Sequence, residues 1–576
     1  QRMPARLKGA PGLLLLAGVL VAAGAGAFIF YNMNVLNPYR TQDDNEVRLA
    51  ALEKKYLKYE KLPQPAITDI KLNIDLHPAE KRADFAGRYS LVNNRNVPIS
   101  DLHIQLSNPD LKLVSLTIPG ATLVSDDPEL GYRIYRFAQP LQPGETTSLE
   151  FQTRLRQQGF RAQGDSTNVI PNGSFLNNGD FAPQIGMDRS GLLRDRVKRR
   201  KQGLPSELRP AKLEDMSATQ RNYVRNAPWV SADITVTTDA DQTPIAPGDK
   251  VSDVVKDGRR TARFVSRGPI LGFFSVQSAR YAEKSEDADG VKLTVFYQPG
   301  HEANVDTMLK AMKESLDYYR ANFGPYQFNH ARIIEFPGYQ TFAQAFAGTM
   351  PYSEAIGFLA DTSDPDVIDY PTYVTAHEVA HQWWAHQVIG ADVQGQTLLS
   401  ETLAQYSALM VMKELYGEDK IRRFLKFELD SYLIGRKGDP LPEQPLIRVE
   451  NQQHIHYRKG SLVMYLLQHR LGEDAVNRAL ARLVERYKFK PAPYPRSLDL
   501  IAELRKEAKT PQDQALITDL FERITIYDLK AKAATSTKRA DGKWVTRITV
   551  EAGKFYADGK GVETPAKLAE SIEVGA

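Results

Sequence analysis

The chain has 576 residues, more than one hydrophobic core supports, so it is expected to fold as several domains. Hydrophobic residues make up 42 % and charged residues 25 %, ordinary for globular protein, and a formal net charge of +4 points to no nucleic-acid partner. Cysteine is absent, which excludes disulfides, thiolate nucleophiles and cysteine-held metals and leaves His, Asp and Glu as the only metal ligands.

In chain order, the first element is the uncharged run Ala10 to Tyr31, "APGLLLLAGVLVAAGAGAFIFY". At about 1.5 Å per residue it is long enough to cross a hydrocarbon core of roughly 30 Å. Arg2, Arg6 and Lys8 precede it with no acidic residue, so the positive-inside rule predicts a cytoplasmic start and a large extracytoplasmic portion anchored in the cell membrane. The alternative is a cleaved signal peptide, for which Ala23-Gly24-Ala25 and Ala25-Gly26-Ala27 are suitable cleavage sequences. Gly18, Ala22 and Gly26 form a small-residue stripe that lets a second membrane helix approach. The start at Gln1 and the end at Ala576 suggest a piece of something longer.

Glu46 to Leu62 has helical spacing and ends at "PQP", which marks a juxtamembrane spacer. From Ala66 to about Ala282 short alternating runs such as "DIKLNIDL" predict an antiparallel β domain, interrupted between Gln163 and Tyr223. The basic run Arg194 to Lys201, "RDRVKRRK", reads as a solvated loop, or as a patch for anionic lipid or a partner. Beyond "VKLTVFYQPG" the period lengthens to that of amphipathic helices, the first closed by Gly324. "DGKWVTRITVEAGKFYADGKG" then returns to alternation. The expected fold class is multidomain α+β. Its segments are a membrane helix with flank (1–35), a linker helix (36–65), a β domain (66–285), a thermolysin-like, mainly α catalytic domain (286–527) and a small β segment (528–576).

The chemistry concentrates in "TAHEVAHQWWAHQ", Thr375 to Gln387. Pro371 suits the first turn of a helix running on through Trp384, which places His377 and His381 one turn apart on one face, able to share a metal ion. Glu378 is rotated off that axis and can serve as a general base without occupying a coordination position. A catalytic zinc takes three protein ligands, and Glu401 in "LLSETLAQYSAL" is the candidate for the third.

"HEVAHQWW" followed by "LLSETLAQY" resembles the M1 gluzincin aminopeptidases, whose signature is HExxH, eighteen residues, and a ligand Glu in an L-N-E context. Here nineteen residues separate His381 from Glu401, and Ser400 replaces the Asn. "HYRKGSLVMYLL" resembles the family's Y-E-K-G segment and puts Tyr457 at the position of the tyrosine that supports the oxyanion. His386, His454 and His456 are expected to be non-ligands. The family's G-x-M-E-N motif, whose glutamate binds a substrate amine, has no counterpart string. Counting back from Tyr352 sets Gln344, Ala345 and Phe346 against Met-Glu-Asn, so Gln344, Ala345 and Tyr352 are the expected substrate-binding positions and the amine-binding carboxylate is missing.

The resemblance is closest to M1-like peptidase domains fused to bacterial ABC-2 type transporter permeases. It implies one Zn2+ per chain on His377, His381 and Glu401, a peptide substrate, catalysis by Glu378 and Tyr457, and transporter helices or an ABC ATPase subunit as further partners. The rivals are a non-catalytic M1-like binding module beside a transporter permease and a different zinc hydrolase on the same fold, such as an epoxide hydrolase.

Overall fold

A computed structural model describes residues 9–162, 164, 166, 168–189, 191–224, 227–364 and 367–571. Arg2, Arg6 and Lys8 lie outside the described residues. The architecture is mixed α+β, divided into two compact units: 1–208 with 230–266 and 273–280, and 209–229 with 267–272 and 281–576.

The first unit begins with helix α1, Ala10–Phe30, which continues through a π-helical stretch to Leu36. It is long and apolar enough to be a membrane anchor or a signal sequence, with a mean hydropathy of 2.5 and no buried residue in its apolar window. Helix α2, Gln42–Tyr56, starts at a capping box in which the Thr41 side chain accepts from the Asp44 N–H and Asp44 accepts from the Thr41 N–H. It is shorter at its C-terminal end than the spacer expected to run to Leu62, because Leu57–Tyr59 tightens into a 3₁₀ turn.

The sheet of this unit has the strand order Asp249–Lys256, Arg259–Val265, Trp229–Asp239, Ala66–His77, Arg82–Val92, Thr146–Arg156, Lys112–Thr117. Ile70, Leu72, Ile74 and Leu76 are buried while Asp69, Lys71 and Asn73 are exposed, the alternation that fixes which face meets the core. One pairing departs from the antiparallel expectation: Ala66–His77 runs parallel to Trp229–Asp239, with Asp69 opposite Ser231. Gly87 is needed where the sheet meets the Phe151 ring, since a Cβ there would lie 2.3 Å from it.

The basic run is neither a loop nor a free patch. Arg196–Lys201 is a short helix, α3, capped by Asp195. Arg199 is 1 % exposed and makes a bidentate pair with Glu53 of α2 at 2.8 and 2.7 Å, and Lys198 and Lys201 reach Glu46 and Asp43. Its charges answer the acidic face of α2, a complementarity that local composition does not reveal.

In the second unit, Ala282–Ala288, Val291–Tyr297, His330–Phe336 and Thr349–Ser353 form a four-stranded sheet whose last three strands are parallel. Helix α4, Val305–Phe323, buries Met308, Met312, Leu316 and Tyr319. Helix α5, Tyr370–Ala380, carries the HExxH motif; α6, Glu401–Tyr416, and α7, Glu418–Gly438, follow. A π-helical turn at His454–Lys459 leads into α8, Gly460–Leu471. A three-stranded sheet starting at Ile524 ends the described chain.

Candidate active site

Helix α5 begins at Asp369, whose side chain accepts from the Thr372 N–H at 3.1 Å, with Pro371 in the first turn where its missing N–H costs nothing. The helix stops at Ala380 rather than continuing through Trp384. His381 keeps helical angles as the C-cap, and its N–H still bonds the His377 carbonyl at 3.2 Å, so the two histidines remain one turn apart. Beyond it, Gln382 and Trp383 bond three residues back, which unwinds the helix into turns.

Two fully buried tryptophans hold this end. Trp383 Nε1 donates to the Gly324 carbonyl at 3.1 Å and Trp384 Nε1 to Ser407 Oγ at 3.0 Å, which ties α5 to α6. Beneath, Tyr319 Oη donates to the Ala376 carbonyl at 2.8 Å.

His377 Nε2 and His381 Nε2 lie 3.0 Å apart, and Glu401 Oε2 lies 3.5 and 3.3 Å from them. Ligand bonds of about 2.0–2.2 Å in tetrahedral geometry separate donor atoms by roughly 3.3 Å, so this triangle has the size of one metal's coordination face. His381 Nδ1 donates to the Trp384 carbonyl at 3.0 Å, which fixes the tautomer and leaves Nε2 as a lone-pair donor. Glu401 Oε2 is buried without an aligned hydrogen bond, an oxygen free to bind a cation.

The electrostatics agree. Burial opposes charge on every group here. It holds the His377 imidazole below its ordinary value, but Glu401 and Glu378 override it at His381 and push that ring up to about 9. Glu401 sits well below the usual carboxylate range because both histidines face it, against the opposing effect of burial. A divalent cation held by these three side chains would compensate the buried Glu401 charge. The donor set fits Zn2+, which accepts His and carboxylate ligands in this number.

Glu378 is 5 % exposed, and burial pushes it up to about 7 although the nearby Ala345 N–H works in the opposite direction. Its Oε2 has no partner. Tyr457 is half-buried, its ring centre 5.6 Å from that of His377, with the Glu401 carboxylate acting on its phenol. Burial, with the nearby carboxylates, raises that phenol well above its ordinary value, so it remains a proton donor at neutral pH.

The segment 342–346 folds back on Thr349–Ser353 as a hairpin: Gln344 N bonds the Pro351 carbonyl at 3.1 Å and Ser353 N bonds that of Phe342 at 3.0 Å. Gln344 is partly exposed, Ala345 is 2 % exposed, and Tyr352 is completely buried, with its hydroxyl within electrostatic reach of Glu378. Ala345 therefore meets the site through its backbone, with its N–H acting on the Glu378 carboxyl and its carbonyl 3.1 Å from His386 Nε2. Neither His386 nor His454 nor His456 joins the metal-sized group.

Sequence reasoning missed a second such group, His301, Glu335 and Glu354, in which no local spacing gives a signal. Its atoms are already paired: His301 Nδ1 lies 2.5 Å from Glu335 Oε1, and the Gln298 and Gly338 N–H groups take the Glu335 Oε2 and Glu354 Oε1 atoms. It also missed Tyr223, which donates to Ser400 Oγ at 2.5 Å beside Glu401, and Glu428, considered below.

Two histidines from one helix and a glutamate from the next, beside a buried carboxylate and a phenol, form a group of donors that could hold one zinc ion next to a proton acceptor and a proton donor. Residues 306–521 match the model of the Peptidase family M1 domain. The chain is 24 % identical over 316 residues to Aminopeptidase M1-B of Oryza sativa subsp. japonica, covering 50 % of this chain and 34 % of that protein. It is 24 % identical over 213 residues to Endoplasmic reticulum aminopeptidase 2 of Homo sapiens, covering 36 % and 22 %. The chain thus spans about a third or less of the length of these relatives. Its fold is similar to that of an M1 zinc metallopeptidase from Deinococcus radiodurans, with a TM-score of 0.55 at 16 % identity over 81 % of this chain and 97 % of that one. A point mutant of that protein, solved with a Tyr-Ser-Ala substrate, gives a TM-score of 0.54 at 17 % identity, covering 80 % and 94 %.

Proposed function

We propose that this chain is a membrane-anchored zinc metallopeptidase that hydrolyses peptide bonds. The observation that carries the reading is the convergence of His377, His381 and Glu401 on one metal-sized point, with Glu378 and Tyr457 beside it. Bound by those three ligands, Zn2+ supplies Lewis acidity to a water and to the scissile carbonyl.

Glu378 takes the proton of the attacking water and delivers it to the leaving nitrogen, a task suited to a buried carboxyl near neutrality. Tyr457 donates its phenolic hydrogen to the developing oxyanion. Ala345 N–H orients Glu378. No carboxylate occupies the Gln344–Ala345–Phe346 segment, so a free substrate amine meets no counter-charge from it and cleavage extends to blocked N-termini. Gln344 and Tyr352 shape the subsite from its partly exposed and buried sides.

The segments 1–35, 36–65, 66–285, 286–527 and 528–576 act as anchor, spacer, β domain, catalytic domain and β appendage, with the bulk of the chain extracytoplasmic. A Cβ at Gly18 or Gly26 would meet no atom within 4 Å, which leaves the small stripe of α1 open to transporter helices. The test is zinc content of the full chain in detergent together with cleavage of free and acetylated peptides, with Glu378→Gln as control. Stoichiometric zinc with Glu378-dependent cleavage supports the reading. Zinc without cleavage favours the binding module.

A further inference from the structure

Glu428 lies on α7, away from every motif of the sequence, and is 0 % exposed. Its Oε1 accepts from three side chains at once: Tyr373 Oη at 2.9 Å, Gln405 Nε2 at 3.0 Å and Arg458 Nη1 at 2.9 Å. Gln405 Nε2 also donates to Tyr373 Oη at 2.9 Å, which closes the network.

Each partner belongs to a different element of the site. Tyr373 stands one turn before His377 on α5, Gln405 one turn after Glu401 on α6, and Arg458 directly follows Tyr457 in the π-helical turn. Such turns are uncommon and concentrate at functional sites. The turn is also bound to α6 beside the third ligand, where Thr402 Oγ1 donates to the His456 carbonyl at 2.6 Å.

A carboxylate sealed from solvent is costly unless paired and hydrogen-bonded. Here one such group joins the three segments whose relative placement sets the metal triangle and the phenol. A second buried acid, Glu443, provides a contrast. It accepts from Lys459 at 2.8 Å, Tyr432 at 2.9 Å and Arg436 at 2.8 Å, and so holds the π-turn without touching α5 or α6.

We infer that Glu428 is a positioning residue that sets the geometry of the metal ligands through Tyr373 and Gln405 and of Tyr457 through Arg458. The inference rests on the zinc-peptidase reading for its kinetic part and on the ligand set alone for its metal part.

The experiment uses the full chain in detergent loaded with zinc, and compares wild type, Glu428→Gln, Glu428→Ala and Glu443→Gln. Zinc release to a chromophoric chelator is followed together with kcat, KM and thermal midpoint. Loss of a group supporting metal ligands commonly costs about 10–100-fold in affinity or activity. Both Glu428 variants should retain one zinc per chain yet release it about 10-fold faster, whereas Glu443→Gln releases it at the wild-type rate. kcat should fall about 10-fold or more with KM little changed, and that loss should shrink when Glu428→Gln is placed in a Tyr457→Phe background. Unchanged zinc release and kcat in Glu428→Gln overturn the inference. Equal acceleration by Glu443→Gln also overturns it, since the effect is then general loosening. If wild type holds zinc but cleaves no peptide, the peptidase reading fails while the release rates still decide the role of Glu428.

Discussion

Two regions meet at Glu378, and they treat it differently. The helical side, α5 and α6, supplies ionisable side chains brought together one turn at a time: His377 and His381 from one helix, Glu401 from the start of the next. Its charges are compensated in place, and tryptophans and tyrosines fix the backbone beneath them. The hairpin at 342–353 supplies only backbone groups and neutral side chains, with the Ala345 N–H opposing the upward effect of burial on the Glu378 carboxyl. The helical side has the donors for metal chemistry, and the hairpin has no charge with which to select a substrate end. The metal-sized group and the uncharged segment therefore belong to different elements, coupled to each other at Glu378.

The largest effects belong to the helical side. Glu378→Gln is expected to leave zinc content at wild-type level and lower kcat by roughly 10²–10⁴-fold, the usual range for a general acid–base group, checked by metal analysis beside single-turnover kinetics. Glu401→Ala removes one of the three proposed ligands and should lose zinc on dialysis; unchanged metal content points to another third ligand. Tyr457→Phe keeps the ring and removes the oxyanion donor, so kcat should fall about 10²–10³-fold with zinc retained.

The hairpin gives a smaller effect. Matched peptides with free and acetylated N-termini should differ in kcat/KM by less than about 10-fold, because tenfold corresponds to only about 1.4 kcal/mol and no counter-charge is present to supply more. A preference on the order of 10³-fold for the free amine places a carboxylate elsewhere in the subsite.

The smallest effect lies away from both. The Arg260 hydrogen bond, with Lys250, holds Asp253 at about 2 rather than 3.8. Its folded value is depressed, so its stabilisation is present above pH 3.8 and is lost as pH falls toward 2. Asp253→Asn should cost under about 1 kcal/mol at neutral pH, read from urea midpoints, and nothing at the site.

What the sequence made legible follows from distance along the chain. HExxH is readable because a helix turns sequence spacing into spatial proximity, and Glu401 because the next helix starts at it. Fold class was readable from the change of hydrophobic period between the runs near Ile70 and those after Val305. Glu428 was not readable: its partners lie 55 residues upstream, 23 upstream and 30 downstream, and only the packing of α7 brings them together. The basic run near Arg199 was misread for the same reason, since its partner Glu53 is 146 residues away. The end of α5 at Ala380 depends on turns made after the motif, which apolar periodicity through the tryptophans does not register.

The most direct test of the account is cleavage of one acetylated peptide by wild-type and Glu378→Gln protein carrying equal, measured zinc. Cleavage by the wild type and its near-abolition in the variant are expected. Equal cleavage by both contradicts the role given to Glu378, and no cleavage by a fully zinc-loaded wild type, with free-amine peptides cut, contradicts the uncharged subsite.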